Sequence, residues 1–192
     1  MPLPAWVAPD ETKPAPMPLL LVQAFVNTVE ADSNTDLLRE PDTARHWLEA
    51  AGLADPVTGL GYDELRAARE VRESLRGMLA ANVGGPPPGA QDLEPLRAAA
   101  QACTPLFEVD AAGRVRIEQA PGRGSTIAWT SLLLAVRDAQ SDGTWQRLKA
   151  CENDECGWAF YDRSHGRRGR WCAMSGCGNR MKNRSLRARR RA

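Results

Sequence analysis

The chain has 192 residues, 43% of them hydrophobic and 26% charged, with a formal net charge of +1. That is enough for one medium domain plus a small one with a real core. The longest apolar run, around Leu19–Val26, is far short of the ~20 residues of a membrane helix, and Met1–Lys13 has no basic start before an apolar stretch; a cytoplasmic location is the default expectation.

Residues 1–18 carry prolines at 2, 4, 9, 14, 16 and 18 and are expected to form a disordered or loosely docked arm, with Trp6 as its one anchor. From Leu19 the text becomes globular, and LLLVQAFVNTVE reads as a buried helix. PDTARHWLEAAGL predicts a second, begun at Pro41 and Asp42 and stopped by Gly52. The clearest helix starts at Tyr62, with Leu65, Ala68, Leu75, Met78 and Leu79 at helical spacing and a Gly84–Gly85 end. After a Gly-Pro turn at 84–90, another helix is predicted to begin at Asp92. Pro105–Gln119 alternates instead: Phe107, Val109, Val115 and Ile117 fall on one side of a β-hairpin around an Ala-Ala-Gly turn. Beyond the breaker run PGRGS, Thr126–Gln140 returns to helix, and a final short helix is predicted over Thr144–Ala150. The expected fold is α+β, a mostly helical N-terminal domain with a β-hairpin (19–146) followed by a small four-cysteine module (147–192).

The helical domain names no chemistry. Arg66/Glu70 and Arg69/Glu73 lie at i,i+4 and predict surface ion pairs. His46 and His165 are far apart and sit in no nucleophile motif, so no enzymatic activity is expected. Cys103, in an Ala-rich stretch, reads as a small buried apolar residue.

The charge is divided unevenly. From Arg147 onward there are thirteen Arg/Lys and four Asp/Glu, a net of +9, against −8 for the rest, and after Asp162 eleven basic residues occur with no acidic one. Such a run is often only a solvated face or a loose tail, but its purity and its interweaving with cysteines point to a polyanion partner.

Four of the five cysteines, Cys151, Cys156, Cys172 and Cys177, crowd into 27 residues as two C-x4-C pairs. In a reducing compartment such pairs argue for metal over disulfides, and four thiolates close a structural Zn2+ shell; an iron–sulfur cluster is the competing occupant. Trp158, Phe160, Tyr161, Trp171 and Met174 are expected to form a miniature core, with Tyr161 the one aromatic kept open for nucleic acid. Cys172 and Cys177 stand about 140° apart on an ideal helix, so one continuous helix cannot aim both at one ion. Cys177 is therefore placed in the first turn of a helix running to about Arg190. On that helix Arg180, Arg184, Arg187 and Arg191 share a face, which could enter a major groove or simply clamp phosphates. Asn179 is either a base-reading amide or a staple of the loop to the helix start.

The run WCAMSGCGNRMKNR, preceded by CENDECGWAFYDRS, resembles the CGNR zinc finger, whose motif stands here as Cys177-Gly178-Asn179-Arg180. Upstream, LLLVQAFVNTVE resembles the start of the ABATE domain that accompanies this finger, departing from it at Ala24, where the family start carries an acidic residue. The resemblance implies a bacterial stress-induced transcriptional regulator, Cys151, Cys156, Cys172 and Cys177 as zinc ligands, and a finger that binds DNA. Its contacts are expected from Asn179, Arg180, Lys182, Arg184 and Arg187, with Arg163, Arg167, Arg168 and Arg170 as a second backbone-gripping loop. The N-terminal domain would sense a small-molecule effector or dimerise, a homodimer being expected for a palindromic target. RNA binding by the same finger is the second reading. The third is a structural zinc module that contacts protein, attached to a small-molecule-binding or enzymatic domain.

Overall fold

The computed structural model describes residues 2–54, 59–119, 127 and 129–189. The elements run α1 (Leu19–Val26), β1 (Val29–Glu30), β2 (Thr35–Asp36), α2 (Pro41–Ala50), α3 (Tyr62–Ala81), α4 (Glu94–Gln101), β3 (Pro105–Val109), β4 (Val115–Gln119), α5 (Trp129–Asp142), β5 (Leu148–Ala150), β6 (Ala159–Tyr161) and α6 (Asn179–Arg189). This is the mixed α+β architecture expected, helices first and a four-cysteine module last.

α1 is buried on every side, which is why its sequence shows no polar face. It packs against α5, α3 and β6, and Phe25 meets the rings of Trp47 at 6.2 Å and Trp129 at 5.9 Å. α3 is the spine. Glu64 accepts the Gly61 amide at its start, and Gly84 (φ +97°) ends it, with the Gly85 amide on the Ala80 carbonyl and the Gly84 amide on that of Ala81.

α3 also carries a row of polar side chains that hold other segments by their carbonyls. Arg69 donates to Leu38, Arg76 to Val26 and Gly157, and Asn82 to Trp145 and Leu148. Between them Arg72, buried, makes two hydrogen bonds to Asp36 (2.7 and 2.9 Å) and one to Thr28. The expected i,i+4 pairs are not the ones formed. Arg66 pairs with Asp63, Glu73 pairs with Arg72 and Arg76, and Arg69 is taken by the Leu38 carbonyl.

Two further expectations are sharpened and one needs correction. The Pro-rich arm is docked: Val7 and Ala15 are buried, Trp47 Nε1 donates to the Trp6 carbonyl, and the Lys13 carbonyl accepts the Tyr161 amide at 2.9 Å. Prolines have no N–H with which to pair the arm's carbonyls internally, and α1, α2 and β6 use those of Trp6 and Lys13. Thr144–Ala150 is helical only over Trp145–Arg147; Leu148–Ala150 is a buried strand, paired with β6 as Leu148↔Tyr161 and Ala150↔Ala159. The β3–β4 hairpin has the expected register, Phe107↔Ile117 and Val109↔Val115, yet Phe107, Val109 and Val115 are 66%, 68% and 65% exposed. The first residues of the predicted Thr126–Gln140 helix and the PGRGS run lie outside the described residues. Cys103 is half-buried against the core, its thiol on the Ala99 carbonyl.

A candidate metal centre beside a basic face

Two short loops build the four-cysteine site. The first, Cys151–Cys156, hangs from the end of β5. The Cys151 amide donates to Trp158, and the amides of Cys156 and Gly157 converge on the Asn153 carbonyl. Gly157 turns the chain at φ +60° hard against Arg76, whose guanidinium its carbonyl accepts. The second loop, Cys172–Cys177, closes as a wide π-type turn over Met174–Gly178, which rotates Cys177 onto the same centre as Cys172 before α6 begins. Cys172 precedes the turn, across extended Ala173, so the two cysteines never share one helix and the mismatch of five-residue spacing does not arise.

All four sulfurs lie within 4.8 Å of one another, with Cys156–Cys172 at 3.7 Å and Cys172–Cys177 at 3.8 Å. Four thiolates at the ~2.3 Å of a zinc–sulfur bond would stand about 3.8 Å apart, whereas a disulfide would bring two sulfurs to about 2 Å. The spacing leaves room for one ion, not for a cluster of irons. The protonation of the group fits: hydrogen bonds from the thiols of Cys156 and then Cys172 draw the Cys151 pKa far down. The same contacts push Cys156 up to about 12 and Cys172 higher still. Cys151, Cys156 and Cys172 crowded in this way compete for one negative charge, and a cation relieves the competition. Asn153 Nδ2 at 3.7 Å and Arg180 Nη2 at 3.5 Å point N–H groups at Cys177 Sγ. His165 does not join the cluster.

The aromatics divide differently from the expectation. Phe160 is buried, with Lys13 Nζ 4.9 Å from its ring centre, and Tyr161 belongs to the main core, which removes it from any nucleic-acid surface. Trp158 and Trp171 are half-buried, and Met174 is 49% exposed. β6 alternates between the two parts of the molecule: Ala159 and Tyr161 join the main core and Phe160 does not.

The loop after β6 is organised by a buried ion pair that the sequence reading missed. Lys149 and Asp162, 3% and 5% exposed, meet at 2.9 Å, and Lys149 Nζ also donates to the carbonyls of Arg167 and Gly169. Burial works to raise the Asp162 pKa, but hydrogen bonds from Lys149, Ser164 and Gly169 outweigh it and hold the carboxyl well below its usual range. Gly169 is required there, because a Cβ would lie 2.9 Å from that carboxylate. The signal was available: one lysine alternating with Leu148 and Ala150 in a strand, one aspartate closing the next.

The named basic residues fall into two groups. Arg163 donates to the Pro14 carbonyl, Arg170 pairs with Glu152 and lies over the Trp171 ring, Arg184 pairs with Glu155 at 2.8 Å, and Arg180 forks onto Asp32 at 3.1 and 3.3 Å. Asn179 donates to the Ser175 carbonyl, the stapling alternative. Arg167, Arg168, Lys182 and Arg187 are exposed and make no ion pair among the described residues. Arg191 lies outside the described residues. On the side of α6 opposite Arg180, Lys182, Leu186 and Arg189 line an open groove of about 660 Å³ with Arg170, Trp171, Glu152 and Asp154.

A helical domain docked on a cysteine-clamped basic module defines a protein with a candidate metal-binding finger. Residues 20–141 match the ABATE family, described as a putative stress-induced transcription regulator, and residues 147–190 match the CGNR zinc finger. The chain belongs to the ABATE family and carries its finger at the C-terminal side. No curated protein matches it. Among the described residues no helix is long and apolar enough to cross a membrane.

Proposed function

We propose that this protein is a zinc-dependent, DNA-binding transcriptional regulator and not an enzyme. The observation that carries the reading is the run of eleven cations after Asp162 without an acidic residue, mounted on a four-thiolate site. Cys151, Cys156, Cys172 and Cys177 would hold the ion, which supplies folding energy and orientation and no chemistry on a substrate. Arg167, Arg168, Lys182 and Arg187 are the cations open to phosphates, and Arg170 beside Trp171 in the groove offers an arginine and a ring plane to a base edge. The N-terminal domain then positions or regulates the finger.

A salt titration of one labelled duplex DNA and one single-stranded RNA tests this. Tight, steeply salt-dependent duplex binding is expected, with log Kd rising against log salt at a slope near 0.9 per phosphate contacted. Arg167→Ala with Lys182→Ala should lower that slope by about 2. Stronger binding to the RNA would favour the RNA reading, and weak equal binding to both would overturn sequence-directed regulation.

A further inference from the structure

Arg180 is the arginine of the Cys-Gly-Asn-Arg run, yet it does not face solvent unclaimed. Its two terminal nitrogens fork onto Asp32 Oδ1 and Oδ2 at 3.3 and 3.1 Å, across 148 residues of sequence. Asp32 sits at the tip of the β1–β2 ribbon, which pairs Val29 with Asp36 and Glu30 with Thr35 and turns through Asn34 at φ +53°. The base of that ribbon is fixed in the N-terminal domain: Asp36 is gripped by buried Arg72, and the Leu37 amide donates to the Thr28 carbonyl at 2.8 Å. The tip, residues 31–35, is exposed, and a pocket of about 300 Å³ is lined by Glu30, Ala31 and Asp32 on one side and Trp158, Cys172 and Ala173 on the other, so lifting the turn would uncover no buried core residue of its own.

A carboxylate forked on a guanidinium occupies the same two N–H vectors that a phosphate takes. Asp32 and Arg180 are 63% and 48% exposed, so water and salt compete for the pair and its hold is modest. Such a contact suits a latch that a polyanion can displace. We propose that the β1–β2 turn is an autoinhibitory latch, in which Asp32 stands in for a nucleic-acid phosphate on Arg180 and must let go before this face of α6 engages. The inference rests on the nucleic-acid reading above. It gives the N-terminal domain a physical route to the finger, since anything that moves the ribbon changes the number of cations on offer.

The test is duplex affinity by fluorescence anisotropy for the wild type, Asp32→Asn, Glu30→Gln, Arg180→Ala and the Asp32→Asn/Arg180→Ala pair, each checked for metal content and melting temperature. Asp32→Asn should tighten binding about fivefold, the scale of a surface ion pair. Glu30→Gln, which removes the same charge nearby without touching Arg180, should change it less than twofold. In the Arg180→Ala background Asp32→Asn should do nothing. Equal tightening by Asp32→Asn and Glu30→Gln, or tightening that persists without Arg180, overturns the latch while leaving nucleic-acid binding intact. If no variant binds duplex at low salt, the nucleic-acid reading fails and takes the latch with it.

Discussion

The helical part and the finger are stabilised by different physics, although they share a boundary. Around α1, Val22, Phe25, Val26, Leu48, Leu65, Leu75 and Leu79 are all fully buried, and apolar burial at about 25 cal/mol per Å² is the source of order. Around the cysteines, among the described residues, Ala159 and Phe160 of β6 are buried, Trp158 and Trp171 are half-buried, Met174 and Leu186 are exposed, and most other side chains are polar, basic or glycine. There the chain is held by sulfur, by the Lys149–Asp162 pair and by carbonyls that α3 arginines and the arm capture. A fold of this kind can present many cations cheaply, because its order does not depend on hiding apolar surface.

The comparison breaks most sharply on metal removal. Structural zinc contributes on the order of 10 kcal/mol in small fingers, so chelation or Cys177→Ser should release amide-exchange protection over 151–189 while α1 and α3 stay protected. Simultaneous loss in both regions would show them to be one cooperative unit. Phe25→Ala should cost about 3–5 kcal/mol in denaturant unfolding, since three aromatic rings meet there and cannot collapse. Lys149→Met should cost a similar ~3–5 kcal/mol, because Asp162 is left buried with an uncompensated charge. Restoring stability with the added Asp162→Leu change would sharpen the point.

Acid should weaken the finger's side of the boundary through Asp162. The Asp162 carboxyl is held below its usual range in the folded chain, so its contribution is fully present above the ordinary carboxylate pKa of about 4 and is lost as pH falls further. A melting temperature flat above pH 5 and falling below pH 4, with the fall reduced in Asp162→Asn, is the expected record. The smallest effect belongs to the hairpin. Phe107→Ser should move stability by less than about 0.5 kcal/mol, because that ring is already in water.

Much of this was legible in the residues. Helix ends were readable where a glycine supplied φ > 0, as at Gly52 and Gly84, and hairpin register followed from alternation over Phe107–Ile117. The four cysteines announced themselves by spacing. Between a disordered and a docked arm the residues did not choose, because proline content signals poor self-pairing and says nothing about whether other segments need its carbonyls. The strand Leu148–Ala150 was misread because its pairing partner lies eleven residues on, across a loop held by sulfur. Arg72–Asp36 and Arg180–Asp32 were invisible for the same reason: a charge pair between distant segments leaves no local period.

The central claim is that the clamped basic finger is what meets nucleic acid. Its most direct test is the duplex Kd of the chain loaded with zinc, stripped by chelator, and reloaded. The account predicts at least a tenfold weakening on stripping, recovered on reloading, as the loss of even one oriented contact of about 1.4 kcal/mol would give. Unchanged affinity in the stripped chain would mean that the cations bind as a loose tail, and would contradict it.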